Sequence, residues 1–215
     1  VGAAIGANLL FNTVTARIES STVSASAATV QATAEQVLIS VTMGGAGGEK
    51  FALGGSVSLN VMMDTIAAEV VSSDLDANRD ITVSASDDTT AAVVAGGFAM
   101  SLSSAAVGVA ASTIDMENDV HATIDDSRVT SLTGSVMLSA GIAAPDTTAD
   151  PADIAFGTSG ITLPETNSSS VINVTFGGAG STGDFAGGFG VSVNIIHNTI
   201  DAEIEIGRAS CRERG

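Results

Sequence analysis

The chain has no tryptophan, no tyrosine and only seven phenylalanines, although 45% of its 215 residues are hydrophobic. Its apolar mass therefore comes from alanine, valine, isoleucine and leucine, accompanied by 24 glycines. Small and β-branched side chains suit thin, closely stacked β layers better than a rounded core with aromatic residues at its centre. The lack of Trp and Tyr also removes the platforms on which carbohydrate enzymes and lectins usually stack sugar rings.

Positive charge and cysteine are scarce as well. Seven Lys and Arg residues oppose 24 Asp and Glu residues, which leaves a formal net charge of −17. A nucleic-acid binder needs clustered Lys and Arg, so we expect no nucleic-acid partner, and the same negative charge opposes binding to an anionic membrane surface. The single cysteine excludes a disulfide scaffold.

Residues 206–215, IGRASCRERG, differ from the rest of the chain. They carry three of the seven basic residues and the only cysteine, namely Arg208, Arg212, Arg214 and Cys211. The segment resembles the translation of a sequencing-library adapter and is set aside from fold reasoning. A genuine basic tail is the alternative. We therefore expect one repetitive segment over 1–205, cut from a longer protein.

A four-fold internal repeat organises residues 1–205. One pattern begins at positions 12, 64, 118 and 198, which are 52, 54 and 80 residues apart. A β-branched residue follows two positions later, an alanine four positions later, and an isoleucine or valine six positions later. The heads of the pattern are Asn12, Asp64, Asn118 and Asn198, and serine recurs nine positions on at Ser21, Ser73 and Ser127. The copies lie near 1–53, 54–107, 108–186 and 187–205.

Two periodicities predict the fold. Alternation of apolar and polar residues indicates β-strands with one buried face, and self-similarity at about 50 residues indicates a repeat architecture. We predict an all-β fold, a β-solenoid (β-helix) built from ~52–54-residue repeats that bury their apolar faces by stacking. Each copy contains five or six short strand-like runs, which are separated by breaks at Gly-Gly, Ser-Ser, Asp-Asp or Asn-Arg-Asp. This number of runs predicts about two three-faced coils per copy, each of roughly 20–27 residues. The Asn or Asp at the head of each copy is predicted to lie in a corner turn or to stack into a ladder.

The third interval contains an insertion near 141–170. It holds all three prolines, Pro145, Pro151 and Pro164, in a polar stretch of low β propensity. We predict a loop that leaves the regular body, and two interpretations stay open: it carries recognition, or it is merely tolerated.

Residues 89–114 contain no charged side chain and are long enough to cross a membrane. Ser, Thr, Ala and Gly dominate the stretch, its flanks are acidic, and it falls in register with the repeat. We therefore expect no transmembrane segment there.

The repeat motif carries a resemblance. The run GGSVSLNVMMDTIAAEV at 54–70, followed by SSDLDA at 72–77 and DITVSAS at 80–86, resembles the repeats of very large bacterial surface proteins. These are haemagglutinin-like and leukotoxin-like filamentous adhesins and autotransporter passengers, and the resemblance covers nearly all of 1–205 except the insertion. It implies an exported β-helical stalk at the bacterial cell surface, with an adhesive function. The implied partners are a host or neighbouring-cell surface receptor, or further repeats of the same chain.

One acidic run is a candidate metal site. Asp74, Asp76, Asn78 and Asp80 place oxygen ligands at alternate positions, which suits calcium. The run is not an EF-hand loop, because Arg79 occupies its sixth position and Ala85 its twelfth. We weigh a turn with solvated carboxylates against a calcium-stabilised β-roll. The acid pairs Asp87/Asp88 and Asp125/Asp126 are interpreted as solvated corners rather than as a glycosidase pair.

Groups for catalysis are few. His121 and His197 are isolated in sequence, and the repeat requires neither of them. The pattern Gly178-Ala-Gly180-Ser-Thr-Gly183 has the glycine spacing of a dinucleotide-binding turn, but DFAGGFG after it is no helix, so we interpret it as a turn. We therefore expect no enzyme and no cofactor. A polysaccharide-acting β-helix enzyme fragment is the alternative, and it would need Asp, Arg or Lys clustered on one face.

Overall fold

A computed structural model describes residues 1–142 and 171–205. Within these ranges the chain forms eleven strands and no helix, which confirms the all-β prediction for them. The strands are β1 (Gly2–Glu19), β2 (Thr22–Ala25), β3 (Ala28–Gly48), β4 (Phe51–Val71), β5 (Asp74–Ala77), β6 (Ile81–Ser101), β7 (Ala105–Asp125), β8 (Arg128–Ser131), β9 (Val136–Ile142), β10 (Val171–Ser181) and β11 (Phe185–Glu205).

The described strands form three parallel sheets. Sheet A contains β1, β4, β7 and β11 in that order, and sheet B contains the short strands β2, β5 and β8. Sheet C pairs β3 with one edge of β6, and the other edge of β6 pairs with β9 along its first part and with β10 along its second. The chain passes from sheet A to sheet B to sheet C and then returns to sheet A. Such an order of parallel sheets is compatible with a β-solenoid.

The register pairs the residues that the sequence repeat aligns. Asn12 lies beside Asp64, Asp64 beside Asn118, and Asn118 beside Asn198. These positions lie side by side along the middle of sheet A, so the corner prediction is wrong. Their register is that of a ladder, but neither amide atom of Asn118 has a hydrogen-bond partner. Each of the first two copies contributes one strand to each sheet. The estimate of about two coils of roughly 20–27 residues per copy is therefore wrong.

The strands are longer than the sequence analysis predicted. Five of them, β3, β4, β6, β7 and β11, are 21 residues long, against about five or six residues in an average strand. The Ser-Ser breaks at 20–21 and 72–73 and the break at 78–80 do separate strands. Gly54-Gly55 and Asp87-Asp88 lie inside β4 and β6, so the breaks predicted at these pairs are wrong. Residues 89–114 belong to β6, β7 and the turn between them.

The interior lies between the inner faces of sheets A and C, and it has a wide end and a narrow end. At the wide end sheet B separates the two long sheets, and a cluster of branched side chains fills the space, including Ile66, Val70, Leu75 and Ile81. At the narrow end sheet C turns directly into sheet A through the connections at 49–50, 102–104 and 182–184. A smaller cluster around Met62 lies between the two ends.

Glycine lets the two long sheets approach each other at the narrow end. A Cβ atom on Gly54 would overlap the carbonyl oxygen of Phe98 in the facing sheet, and one on Gly97 would overlap the carbonyl oxygen of Val109. Only a residue without a side chain fits at such an approach of backbone to backbone. The small cluster of Ala52, Ala99 and Ala106 completes this end.

Candidate functional site

The candidate calcium ligands lie on sheet B and in the turn that follows β5. Asp74 and Asp76 project to the outer side of β5, while Leu75 between them is buried. Arg128 on the neighbouring strand β8 donates from Nη2 to Asp74 Oδ2 at 2.7 Å and to Asp76 Oδ2 at 3.1 Å. The hydrogen bond to Asp74 and the two negative charges raise the pKa of the exposed Arg128 guanidinium. A cationic side chain of the protein thus lies between two of the candidate calcium ligands.

The other two predicted ligands have contacts of their own. Asp80 Oδ1 accepts a hydrogen bond of 2.9 Å from the backbone N–H of Ser135, and the carbonyl of Asn78 accepts one of 3.1 Å from the backbone N–H of Thr133. The structure therefore brings Asp74 and Asp76 together around Arg128 and places Asn78 and Asp80 in the turn. Over 1–142 and 171–205, no group of three or more His, Cys, Asp or Glu residues has a metal-binding arrangement.

A serine ladder forms the corner between sheets A and B. Ser73 Oγ accepts a hydrogen bond from the backbone N–H of Ser21 at 3.1 Å and donates to the carbonyl of Val71 at 2.8 Å. Ser127 Oγ accepts from the backbone N–H of Ser73 at 3.0 Å, so each copy holds the corner of the copy before it. The residue before each serine has a positive φ, which is 48° at Ser20, 48° at Ser72 and 43° at Asp126. The sequence repeat showed the recurrence of serine but not its role.

An open polar depression lies over this corner. It is lined by the side chains and backbone of Ser20, Ser21, Thr22, Ser72, Ser73, Asp74, Asp126 and Arg128. Ser21, Ser73 and Arg128 already bond to neighbouring backbone or carboxylate groups, and the depression is open to solvent. A small-molecule site is usually concave and apolar with a few convergent polar groups, and this corner lacks those properties.

The two histidines lie on the outer face of sheet A. His121 Nε2 is 2.6 Å from Asp119 Oδ1 on the same strand, whereas His197 is exposed on β11 and lies beside Glu117 of β7. They are four positions apart in the shared register, so the structure does not join them into one site. The glycine pattern at 178–183 lies mostly in strand β10, which ends at Ser181, so the interpretation as a turn is right for Gly183 and wrong for Gly178 and Gly180.

The two acid pairs occupy different environments. Asp125 ends β7 and Asp126 forms the corner after it, as predicted. Asp87, however, is fully buried within β6, so its interpretation as a solvated corner is wrong. Burial raises the pKa of the Asp87 carboxyl, and a hydrogen bond from Thr89 opposes this effect only in part. The alternating pattern placed Asp87 on the inner face, and that signal was available in the sequence.

The outer face of sheet A is divided by chemistry. Toward the narrow end it exposes large apolar side chains, including Ile5, Phe51, Val57, Leu59, Phe189, Val191 and Val193. Toward the wide end the same face carries acidic residues, including Glu19, Glu69, Glu117, Asp125, Asp201 and Glu205. Sheet C exposes a second apolar strip, formed by Val37, Ile39, Val41, Met43, Phe98 and Met100. We call these surfaces the apolar half and the acidic half of sheet A, and the apolar strip of sheet C.

Two predicted segments fall outside the described residues. The insertion at 141–170 is described only at Gly141 and Ile142, which end β9. The tail at 206–215 lies wholly outside.

Comparison of the chain with protein-family models, with curated proteins and with solved structures gives no match. Through the two described ranges, no helix is long and apolar enough to cross a membrane.

Proposed function

We propose that this chain is a segment of a large, surface-attached bacterial β-solenoid with a structural and adhesive role and no catalytic one. In this proposal every 52–54-residue copy forms one coil. The observation that carries it is the parallel register, in which equivalent positions of successive copies lie beside one another through all of sheet A. A chain that pairs with its own repeat has a simple way to add further copies.

Both edges of the stack support the addition of further repeats. Within the described part of the chain, β1 and β11 each pair along one edge only. The inner face of β11 exposes Ile200 and Ile204, whose counterparts Val120 and Ile124 in the preceding copy are buried. A further coil over β11 would cover these side chains, as stacking does in other repeat proteins.

The dimensions favour a broad surface over length. Neighbouring strands are about 4.8 Å apart, so one copy adds about 4.8 Å along the stack. A strand of 21 residues is roughly 70 Å long at about 3.3 Å per residue. Each copy therefore contributes much more lateral surface than height, and the proposed adhesive role rests on the faces of sheets A and C.

Surface chemistry is consistent with this role. Soluble monomers rarely expose contiguous apolar patches of more than a few hundred Å², and larger patches often mark interaction surfaces. The apolar half of sheet A continues across all four strands, because β7 places Val107, Val109 and Ala111 between the apolar side chains of β4 and β11. The acidic half lies beside it on the same face. We propose that a host or neighbouring-cell receptor contacts the apolar half.

Duplication of one copy tests the solenoid. Residues 54–107 are inserted a second time after Val107, and the particle is measured by small-angle scattering and electron microscopy. One dimension is expected to grow by about 4.8 Å while the other two stay the same. The control carries an insert of the same composition in which the apolar alternation is scrambled. Growth in all three dimensions, or an extra copy that proteases remove, would contradict the proposal.

Display on a non-adherent bacterium tests the adhesive role. Cells that carry residues 1–205 are expected to attach to host cells. A variant in which serine replaces Val57, Leu59, Val191 and Val193 is expected to attach several-fold less. The control replaces the outward threonines Thr65 and Thr199 by serine. Both variants are checked for unchanged β content by circular dichroism. Failure of the displayed wild-type chain to attach would remove the adhesive role and leave the solenoid proposal to the duplication test.

A further inference from the structure

A polar layer crosses the interior between the branched cluster of the wide end and the smaller cluster around Met62. It contains two aspartates from facing sheets, Asp64 of β4 and Asp87 of β6, with Thr89 between them. Asp64 is 2% exposed, and Asp87 and Thr89 are fully buried. Thr89 Oγ1 is 3.3 Å from Asp64 Oδ2 and 2.8 Å from Asp87 Oδ1. One hydroxyl group thus contacts two buried carboxyl groups.

When both carboxyl groups are ionised, the hydroxyl hydrogen of Thr89 cannot form a hydrogen bond with both of them. A threonine hydroxyl has one hydrogen to donate, and an ionised carboxylate only accepts. Thr89 therefore donates to one aspartate, and its contact with the other brings two lone pairs together. One added proton removes the conflict, because a protonated carboxyl donates to Thr89 Oγ1 while Thr89 donates to the second carboxyl.

The other members of the layer do not supply the missing charge. Gln36 of β3 donates from Nε2 to Asp64 Oδ1 and is neutral. Asn118 of β7, beside Asp64 in the register, is fully buried, and neither of its amide atoms has a hydrogen-bond partner. Asp87 Oδ2 also has no partner. No side-chain donor other than Gln36 and Thr89 thus contacts either carboxyl group in the described chain.

The charged groups on the surrounding strands point away from the layer and are mostly acidic. They are Glu35 on β3, Glu69 on β4, Asp88 on β6, and Glu117 and Asp119 on β7, all on outer faces. Arg17 pairs with Glu19 and Glu69 on the outer side of sheet A. Among the described residues, no Lys, Arg or His side chain makes an ion pair or hydrogen bond with Asp64 or Asp87.

We propose that Asp64 and Asp87 share one proton through Thr89, so that this layer stabilises the fold as the medium becomes more acidic. The inference concerns the interior of the described chain and does not depend on the proposed adhesive role. It makes the solenoid segment a pH-dependent structure whose sensor is buried, away from the acidic half of sheet A.

The direction of the pH effect follows from linkage. Burial raises the pKa of Asp64 and of Asp87, and the negative charge of Asp64 raises the pKa of Asp87 further. A carboxyl whose pKa is higher in the folded chain binds its proton more tightly there than in the unfolded chain. Its stabilising contribution is complete below the ordinary aspartate pKa of about 3.9 and is lost as pH rises through the raised folded value.

Thermal unfolding at pH 7.5 and pH 5.5 tests the proposal, because most surface carboxylates stay ionised over this range. We expect the melting temperature of residues 1–205 to rise by at least about 3 °C at the lower pH. In D87N the amide supplies donor hydrogens at every pH. We therefore expect a higher melting temperature than wild type at pH 7.5 and a smaller rise on acidification. E117Q, a matched change on the exposed outer face of β7, controls for general charge, and all variants keep both histidines.

Infrared spectroscopy at pH 6.5 gives a second readout that needs no change in stability. We expect the C=O stretching band of a protonated, buried carboxyl group in the wild type and in E117Q, and its loss in D64N or D87N. If this band is absent from the wild type, or if D87N and E117Q have equal pH slopes, the proposal is wrong. A melting temperature that rises with calcium at pH 7.5 but not with acid would also overturn it, because the layer would then bind a cation instead of a proton.

Discussion

The wide and narrow ends of the interior are held together by different means. At the wide end three sheets enclose a cluster of branched side chains, and stability comes from apolar surface removed from water. At the narrow end the two long sheets come so close that glycines of each sheet lie against backbone carbonyl oxygens of the facing sheet. The wide end requires volume, whereas the narrow end requires that side chains be absent. The same alternating pattern therefore has opposite requirements at its two ends.

The largest expected effect is an added side chain at the narrow end. We expect G54V to lower the free energy of unfolding by about 3 kcal/mol or more, because its Cβ would overlap the Phe98 carbonyl and the facing backbones must separate. Urea unfolding monitored by circular dichroism measures this. The control is G47V, since a Cβ at Gly47 meets nothing within 4 Å. Equal stability of the two variants would refute the close approach of the sheets.

A cavity at the wide end is expected to have the next largest effect. Leu75 is fully buried where sheet B meets the core, so L75A should cost about 2–5 kcal/mol. Leu132 is 72% exposed, and L132A should change the stability by less than about 0.5 kcal/mol. The same urea titration compares the two variants. A loss below about 1 kcal/mol in L75A would mean that the wide end is not packed as described.

A smaller effect is expected at the serine corner that closes the wide end. S73A removes the acceptor for the Ser21 N–H and the donor to the Val71 carbonyl, which should cost about 1 kcal/mol. At the narrow end Ser103 Oγ donates to the carbonyl of Glu49 at 2.6 Å, but Ser103 is exposed and water can replace it. S103A should therefore cost less than S73A in thermal unfolding. The reverse order would indicate that the corner ladder does not hold the copies together.

The smallest effect is expected at the ion pairs on the outer side of sheet B. Arg128 is exposed, and its contacts with Asp74 and Asp76 are screened by salt. R128Q should lower the melting temperature slightly at low salt, and the difference from wild type should vanish in 0.5 M NaCl as the Debye length falls to about 4 Å. If calcium raises the melting temperature of R128Q but not of wild type, the acids of this run bind calcium once the arginine is absent.

The alignment of the copies was predictable because sheet pairing obeys the sequence period. Equivalent inward positions carry similar side chains, such as Val14, Ile66 and Val120, and a shift of one residue would turn each apolar face outward. The spacings of 52 and 54 residues that place Asn12, Asp64 and Asn118 at equivalent positions therefore give the observed register. The Ser-Ser pairs were also recognised as breaks, since serine competes for backbone hydrogen bonds in turns.

Strand length was not predictable in the same way. A Gly-Gly pair signals a turn when only its neighbours in sequence are considered. In β4 the pair Gly54-Gly55 continues the strand, because the facing sheet lies too close for a side chain. Asp87 was misjudged for a different reason: two adjacent aspartates indicate solvent exposure, and this local signal was preferred to the alternation through Val83 and Ala85, which places Asp87 on the inner face.

The sequence by itself determined the β class, the repeat and the register, because alternation and periodicity are local properties that every copy carries. Only the tertiary structure decided how many residues make one passage through the three sheets and which inward polar side chains meet one another. It also decided where backbone meets backbone. These properties depend on the distance between facing sheets, and residues far apart in sequence, such as Gly54 and Phe98, set that distance together.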